Sequence, residues 1–301
     1  MKIYWLFLLC AVMFHSGCVP AEKAEVAGEV SSEVLGEDET SEAVADEPDE
    51  SATRHCFVMC AGAEPGDLSK ASEIARRILG DEYSAEVNDG NIISVTHGEK
   101  AVGFLLHNPD PIPDGEAEFY ADRNFLWADG REEVAGHRSH VVVTNIGRDG
   151  GDAIESAMTV SRLALVALEL FDGIGVYWGN GKVCNSRKMF ESFCGEMSVD
   201  ELPVPVWLRF QLVNAPDDRN GMYTLGMSQF GLMDIEVESS ELNVAELFSF
   251  ISSTADYLIH SGPVIADGNT VGGSPDDRIV VRHRPSMIDE DKLVYKIIFE
   301  K

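Results

Sequence analysis

An acidic stretch without a single aromatic residue limits which part of this chain can fold. Residues 19–54 carry twelve Asp and Glu against only Lys23 and Arg54, interleaved with Ala, Val, Gly and Ser. Such a segment buries too little apolar surface to offset the loss of chain entropy, and its like charges repel and extend it. We therefore expect a disordered linker over residues 18–54 and one folded domain over residues 55–301.

A secretory signal precedes the acidic stretch. Lys2 is followed by an apolar run over residues 3–14 and then by the small residues Ser16 and Gly17. A positive start, an apolar core and small residues before a cleavage site are typical of a signal peptide. The run is shorter than the roughly 20 residues that span a bilayer as a helix. The sequence thus predicts that residues 1–17 are removed on export.

Cys18 follows directly, and Ser16-Gly17-Cys18 resembles the bacterial lipobox, in which the cysteine thiol receives a diacylglycerol. His15 departs from that motif, which usually has an aliphatic residue at this position. The favoured interpretation is a lipoprotein anchored at Cys18, in the outer membrane where the cell has one, because Val19 is not the aspartate associated with inner-membrane retention. The alternative is a soluble secreted or periplasmic protein.

The folded domain is strongly acidic. Of the net charge of −29, the signal contributes +1 and residues 19–54 contribute −10, which leaves −20 for residues 55–301. Nucleic-acid binding rests on Lys and Arg that neutralise phosphates, so the charge predicts no nucleic-acid partner. Anionic membrane surfaces are disfavoured for the same reason, and we expect the domain to meet the membrane only through its lipid anchor.

Four cysteines lie in the domain, at Cys56, Cys60, Cys184 and Cys194. An even number outside the cytoplasm indicates disulfides. If residues 56–62 form a strand, Cys56 and Cys60 lie about 13 Å apart, so their partners would be Cys184 and Cys194. In the alternative, Cys56 and Cys60 pack as small buried apolar side chains. The spacings are not those of a zinc site, and no metal is predicted.

Apolar periodicity predicts an α+β fold with mixed or mostly antiparallel sheets packed with a few long helices. Strands are predicted over residues 56–62, 92–96, 101–107, 139–146, 175–178, 204–213, 278–283 and 293–299. Helices are predicted over residues 67–79, 152–171 and 243–260, the last beginning with a capping box of Asn243 and Glu246. Two strands end alike, in Asn108-Pro109-Asp110 and Asn214-Ala215-Pro216-Asp217, which is consistent with two related halves meeting near residue 200.

The sequence contains no complete catalytic motif. Nucleophile elbows, phosphate loops and dinucleotide fingerprints do not occur, and no cofactor is predicted. His137 and His140 come nearest to a catalytic or metal pair, but residues three apart on a strand point to opposite faces. They could converge if His137 lay in the preceding loop. Structural histidines bonded to the backbone are the favoured interpretation.

A glycine-bearing segment at residues 223–231 is a candidate binding motif. Tyr223, Thr224 and Gly226 could line a pocket where the backbone approaches a ligand. The favoured interpretation is a tight junction after a strand, with positive φ at Gly226 and Gly231 and with Phe230 in the core.

Asp267, Gly268, Asn269 and Thr270 form a second candidate binding segment. Trp178 is one further candidate binding residue. The side-chain oxygens of the segment could bind a cation. It lacks the spacing of a calcium loop, however, and a plain turn is favoured.

Five motifs stand in a fixed order along the domain. They are Pro111-Ile112-Pro113, His140-Val141-Val142-Val143, Gly175-Val176-Tyr177-Trp178, Tyr223-Thr224-Leu225-Gly226-Met227 with Phe230-Gly231, and Asp267-Gly268-Asn269-Thr270-Val271-Gly272. In this order they resemble the bacterial family known as domain of unknown function 4261, across essentially the whole domain. That family implies no reaction. The Tyr-Thr-x-Gly-Met element is also similar to suppressor-of-fused-like binding domains.

Together these features predict a binding or interaction module at the cell envelope, whose ligand is an unknown protein or small molecule. A hydrolase or metal-dependent enzyme that uses His137, His140 and residues 223–231 is one alternative. A suppressor-of-fused-like protein-binding domain is another.

Overall fold

The computed structural model describes residues 54–88, 90–146, 151–216, 218–272 and 279–299. All of them belong to one compact unit, Val44–Lys301. The predicted signal peptide, Cys18 and the linker up to Thr53 lie outside the described residues. Within the described ranges, every helix is too short or too polar to cross a membrane.

The larger of two sheets is built from the first seven strands. These are β1 His55–Cys60, β2 Tyr83–Asn88, β3 Ile92–His97, β4 Lys100–Asn108, β5 Ser139–Asn145, β6 Gly173–Trp178 and β7 Val183–Ser186. Their order across the sheet is β2-β3-β4-β5-β1-β6-β7, and every neighbouring pair is antiparallel. The first strand of the domain therefore lies inside the sheet.

Two helices, α1 Ala71–Leu79 and α4 Ala153–Leu170, pack on one face of this sheet. The Asp152 carboxylate begins α4 by accepting hydrogen bonds from two backbone N–H groups of the first turn. On the opposite face, α2 Glu116–Ala121 and α3 Gly130–Val134 pack chiefly over β6 and β7. The helices thus cover one face broadly and the other only at one end.

The smaller sheet contains β8 Arg209–Asn214, β9 Asn220–Leu225, β10 Ile235–Ser240, β11 Ile279–Pro285 and β12 Leu293–Phe299. Its order is β11-β12-β10-β9-β8, and β10 and β12 form its parallel pair. The helix α7 Val244–Ser261 packs on this sheet. The capping box predicted at Asn243 and Glu246 is confirmed, with both reciprocal hydrogen bonds at 3.0 Å.

The predicted strand over residues 204–213 is wrong in its first half. After α5 Arg187–Cys194, the chain forms a one-turn helix, α6 Val204–Trp207, and β8 begins only at Arg209. Pro205 lies in the first turn of α6, where a missing N–H costs little. Residues 202–210 are all buried, so the alternation of side-chain types did not reflect one buried and one solvated face.

The α+β class and the mostly antiparallel sheets are confirmed. The larger sheet ends at Ser186 and the smaller begins at Arg209, on either side of residue 200. The two similar strand ends are nevertheless not equivalent, because β4 is an inner strand whereas β8 is an edge strand. The match at Asn108 and Asn214 therefore does not mark corresponding positions in two repeats.

Candidate functional site

His137 lies in the loop before β5, and the backbone engages both of its ring nitrogens. The Ile112 N–H donates to Nε2 (2.9 Å), and Nδ1 lies 2.6 Å from the Val134 carbonyl oxygen, to which it must donate. A ring that accepts at one nitrogen and donates at the other is neutral and has no lone pair left. His137 is thus unable to bind a metal or to transfer a proton in this arrangement.

His140 also holds the backbone in place. Its Nδ1 lies 2.8 Å from the carbonyl oxygen of Asp110, and its ring meets Phe57 edge-on at 5.8 Å. Burial lowers the pKa of His140, and the hydrogen bond to the Asp110 carbonyl oxygen, which raises it, only partly opposes this effect. Among the described residues, no group of three or more His, Cys, Asp or Glu could hold a metal ion. The two histidines fix the loop that follows β4 against β5.

Residues 223–231 form the end of β9 and a tight turn. Gly226 and Gly231 both have positive φ, at 113° and 69°, on either side of a 3-10 helix, Met227–Phe230. Left-handed backbone of this kind favours glycine. Tyr223 and Phe230 are each partly buried. The glycines of the motif therefore serve the turn.

Asp234 explains the threonine of this motif. The Thr224 hydroxyl donates to the Asp234 carboxylate (3.0 Å) and accepts from the Ile235 N–H (2.8 Å), while the Met227 N–H also donates to Asp234 (3.1 Å). Burial raises the pKa of Asp234 to about 6. No periodicity or spacing pointed to Asp234 in the sequence.

Trp178 belongs to a buried network between the sheets. Its indole N–H donates to the side-chain oxygen of Gln229 (3.0 Å), and the Gln229 amide donates to the carbonyl oxygens of Trp207 (3.1 Å) and Gly226 (2.8 Å). The Arg54 guanidinium donates to the Gln229 carbonyl oxygen. Trp178 and Trp207 stack with their ring centroids 6.1 Å apart. Trp178 is fully buried, so the network connects the two sheets and offers no ligand access.

The carboxylate of Asp267 pairs with arginines of β11 and does not serve as a ligand of a bound cation. Its carboxylate accepts from the His283 N–H (2.8 Å) and lies 3.5 Å from both the Arg282 and Arg284 guanidinium groups. The N–H of Gly268, which has a φ of 88°, donates to the Val281 carbonyl oxygen. The turn also places Thr270 in an isolated bridge with β11. Residues 267–270 thus cover the outer edge of the smaller sheet.

The glycine motifs do not gather around one concave site. A Cβ atom at Gly175 would meet Met59 and Trp127, one at Gly226 would meet Gly181, and one at Gly268 would meet Arg282. These neighbours lie in different parts of the molecule. The motifs therefore support the scaffold at three separate places.

The four cysteines are free and buried, which differs from the disulfide interpretation. Cys56, Cys60 and Cys194 pack in the core beside α4, whereas Cys184 packs on the other face of the larger sheet. Burial raises the pKa of each thiol, to about 11 for Cys60. All four are therefore protonated near neutral pH and are poor nucleophiles.

A row of apolar side chains crosses the face of the larger sheet that the helices leave open. On four adjacent strands, Ile92 lies opposite Leu106, Leu106 opposite Val142 and Val142 opposite Phe57. All four side chains are partly exposed. Their chain neighbours point to the helix-covered face and are 0 % exposed: Ile93, Leu105, Val143 and Val58. We call Ile92, Leu106, Val142 and Phe57 the apolar row.

Aromatic rings continue this row toward α2. Phe57 stacks on Tyr177 at 5.8 Å, and Tyr177 stacks on Tyr120 at 5.4 Å. The Tyr177 hydroxyl donates to Glu116 (2.8 Å). The guanidinium of Arg209 lies over the Tyr120 ring, 5.3 Å from its centroid. The open face is thus a preformed surface that leads from β3 to Arg209.

A cleft of about 480 Å³ lies between α5 and α7. Its lining combines acidic with apolar side chains: Phe193, Glu196, Met197, Asp200, Glu201, Leu202, Val204 and Asp256. At one end of α7, His260 joins the helix to the loop before α6. Its Nε2 lies 2.8 Å from the Val199 carbonyl oxygen and its Nδ1 lies 2.9 Å from the Asp256 carbonyl oxygen.

The protonation of His260 should stabilise the fold below neutral pH. Two carbonyl oxygens can both accept only from an imidazolium, and the Val199 carbonyl, with Asp256 and Asp200, raises the pKa of His260. A raised folded-state pKa means that this stabilisation is fully present below the unfolded value of about 6.5 and is lost as pH rises through the folded value. Urea unfolding of wild type and His260→Gln should therefore differ more at pH 6 than at pH 8.5. An equal difference at both pH values would contradict the prediction.

The comparisons with known proteins give one match. The model of the family described as Domain of unknown function (DUF4261) matches residues 223–298. This supports the resemblance to that family from the end of β9 through β10, α7 and β11 to β12, whereas β8 and the motifs before residue 223 lie outside the match. The searches of curated proteins and of solved structures found no match.

Proposed function

We propose that this chain is an exported, lipid-anchored binding module that captures a protein partner on the open face of its larger sheet. The single observation that carries the binding function is the apolar row, continued by Tyr177 and Tyr120. The signal, the lipobox-like Ser16-Gly17-Cys18 and the acidic stretch support the anchor and a stalk that holds the domain away from the membrane surface.

The apolar row has the properties of a docking surface. Contiguous apolar patches are uncommon on monomeric proteins and mark interaction sites. The row lies on the inner strands β3, β4, β5 and β1, each paired on both sides, so its side chains are held in a fixed geometry. A preformed surface loses little conformational entropy on binding.

The negative charge of the domain limits which classes of partner can bind. With −20 on residues 55–301, long-range repulsion opposes nucleic acids and anionic lipid surfaces. A protein segment with an apolar centre and neutral or basic flanks fits both the row and the field around it. Anchoring at Cys18 would restrict the encounter to partners at the envelope surface.

The histidine geometry supports a binding rather than a catalytic role. Both ring nitrogens of His137 are engaged by backbone groups, and the Nδ1 of His140 is engaged as well. The segment at residues 223–231 lies at the end of β9 in the smaller sheet and holds a turn. This arrangement favours the proposed binding role over a reaction centre shared with the two histidines.

Leu106→Arg is expected to weaken partner binding at least tenfold, because a charge in the centre of the row would be desolvated on docking. The partner is first identified by photo-crosslinking from position 106 in intact cells. It is then purified, and its affinity for the wild-type and variant proteins is measured by titration. Ile298→Arg is the matched control, since Ile298 is an apolar strand residue of the smaller sheet that is 42 % exposed. Equal affinity of the two variants would reject the apolar row as the binding surface.

Mass spectrometry of the mature N-terminus tests the anchor separately. A diacylglyceryl mass on Cys18 is the expected result. A free N-terminus downstream of Cys18 would reject lipid anchoring and leave a soluble secreted module.

A further inference from the structure

Within the described residues, Arg209 is a buried cation whose guanidinium has no ion-pair or hydrogen-bond partner. Its residue is only 8 % exposed, and its Nε lies buried with no hydrogen-bond acceptor. In the described part of the chain, no carboxylate forms an ion pair with it. Other arginines of the same domain are more exposed and yet are paired: Arg187 with Asp172 and Glu191, and Arg219 with Glu241.

Such an arrangement costs stability unless something else supplies the acceptor. Burying the Arg209 Nε–H removes its hydration, and a buried donor that stays unbonded costs the desolvation of that group. Buried polar groups without partners are rare in native proteins, and each calls for an explanation. A domain with −20 charge has many carboxylates that could have neutralised Arg209, but among the described residues none lies within ion-pair distance of it.

The position of Arg209 indicates what the acceptor is. Its guanidinium lies over Tyr120, which stacks on Tyr177 at the end of the apolar row. The nearby Glu116 already accepts a hydrogen bond from the Tyr177 hydroxyl. The pKa of Tyr120 is raised, first by burial and then by Glu116, whereas Arg209 acts to lower it. The N–H donors of the Arg209 guanidinium thus lie near the point where a ligand bound along the apolar row would end.

We propose that Arg209 binds a carboxylate of the ligand that docks on the apolar row, an inference that rests on the proposed binding function. The planar guanidinium presents two parallel donors that match the two oxygens of a carboxylate. A carboxylate carries a single negative charge, so Glu116 and the acidic domain repel it less than they repel a phosphate dianion. This carboxylate is a single acidic group at the end of the partner segment that meets Arg209, and the rest of that segment is neutral or basic.

Two small probes test the carboxylate without knowledge of the partner. N-acetylphenylalanine and N-acetylphenylalaninamide share the aromatic group but differ in the carboxylate. They are titrated into purified protein, and binding is followed by the ¹H–¹⁵N signal of the Arg209 Nε–H. We expect a saturable shift with the acid and at least tenfold weaker binding of the amide. Equal binding of both probes, no binding of the acid, or displacement of the acid by equimolar inorganic phosphate would overturn the inference.

Variants separate recognition from folding. Arg209→Met and Arg209→Lys should each bind the acid at least tenfold more weakly, as read from the Tyr120 and Tyr177 signals, while Arg219→Met removes a paired cation and leaves binding unchanged. Arg209→Met should keep or raise the melting temperature, because an unpaired charge leaves the interior. A clear fall in the melting temperature of Arg209→Met, together with normal binding of the acid by Arg209→Lys, would show that Arg209 has a structural role and would overturn the proposal.

The same measurements keep this inference apart from the proposed function. Leu106→Arg reports on the row through the affinity of the purified partner, whereas the two probes report on Arg209. If the partner requires Leu106 but acid and amide bind alike, the row stands and the carboxylate site fails. If binding of the acid requires Arg209 but the partner binds Leu106→Arg as tightly as wild type, the carboxylate site stands and the proposed docking surface fails.

Discussion

Gln229→Met is expected to lower the free energy of unfolding by about 3 kcal/mol, from roughly 1–3 kcal/mol for each buried group left without its hydrogen bond. Gln229 is 4 % exposed and bonds Trp178, Trp207 and Gly226 through one side-chain amide. Methionine has a similar volume, so the packing is kept and only the hydrogen bonds are removed. At roughly 2–4 °C per kcal/mol for a domain of this size, the melting temperature should fall by about 9 °C.

The expected loss is large because the partners of Gln229 belong to both sheets. Trp178 ends β6 of the larger sheet, whereas Gly226 follows β9 of the smaller one. Water cannot replace the missing amide at Trp178, which is 0 % exposed. The indole N–H would therefore stay unbonded in the folded state but would be hydrated in the unfolded state.

Gln211→Met is the matched control for this substitution. Gln211 is a half-buried residue of β8, and its side-chain amide donates only a long 3.5 Å bond to the Leu212 carbonyl oxygen. We expect a change within about 0.5 kcal/mol, as for surface substitutions in general. Similar losses for both variants would show that the Gln229 network does not hold the sheets together.

The long elements of this fold follow from local sequence. The helix α4 was predicted from its apolar residues, and α7 from its apolar stripe and capping box. Both signals act within a few residues, so no knowledge of the tertiary structure is needed to read them. The strands β3 and β4, both predicted, are joined by a tight hairpin at Gly98, which has a φ of 59°.

Elements whose pattern depends on distant neighbours were missed. Residues 204–207 alternate as a strand does, yet they form a helix that is buried on all sides, against α5 and α7 and against a strand of each sheet. The edge strand β2 carries only partly buried or exposed side chains, so its apolar pattern is weak. Periodicity reports one buried face and fails where a segment is buried on all sides or on none.

The candidate site was least predictable because its members meet only in three dimensions. The apolar row takes one residue from each of four strands that are adjacent only through the sheet order. Arg209 is an ordinary strand residue in the sequence, and its lack of a partner is a property of the folded surroundings. The histidines, by contrast, attracted attention through their chemistry, although the fold engages them with backbone groups.

Gly181→Ala is expected to destabilise the domain by about 4 kcal/mol, above the roughly 1–3 kcal/mol typical of overpacking. Gly181 lies in the turn between β6 and β7, and its added Cβ would overlap the Trp207 carbonyl oxygen. Gly226 approaches from the smaller sheet, where a Cβ would lie 2.7 Å from the Gly181 Cα. Because the obstructing atoms are backbone, no side-chain rotation can relieve the clash, and the sheets must separate.

The control is Gly136→Ala, because Gly136 lies in a turn where an added Cβ meets nothing within 4 Å and the backbone is not left-handed. Alanine should there be neutral or stabilising by up to about 1 kcal/mol, since it restricts the unfolded chain. Urea unfolding of the two variants at one pH gives both values. A loss at position 181 no larger than that at position 136 would mean that the close approach of Gly181, Gly226 and Trp207 does not join the sheets.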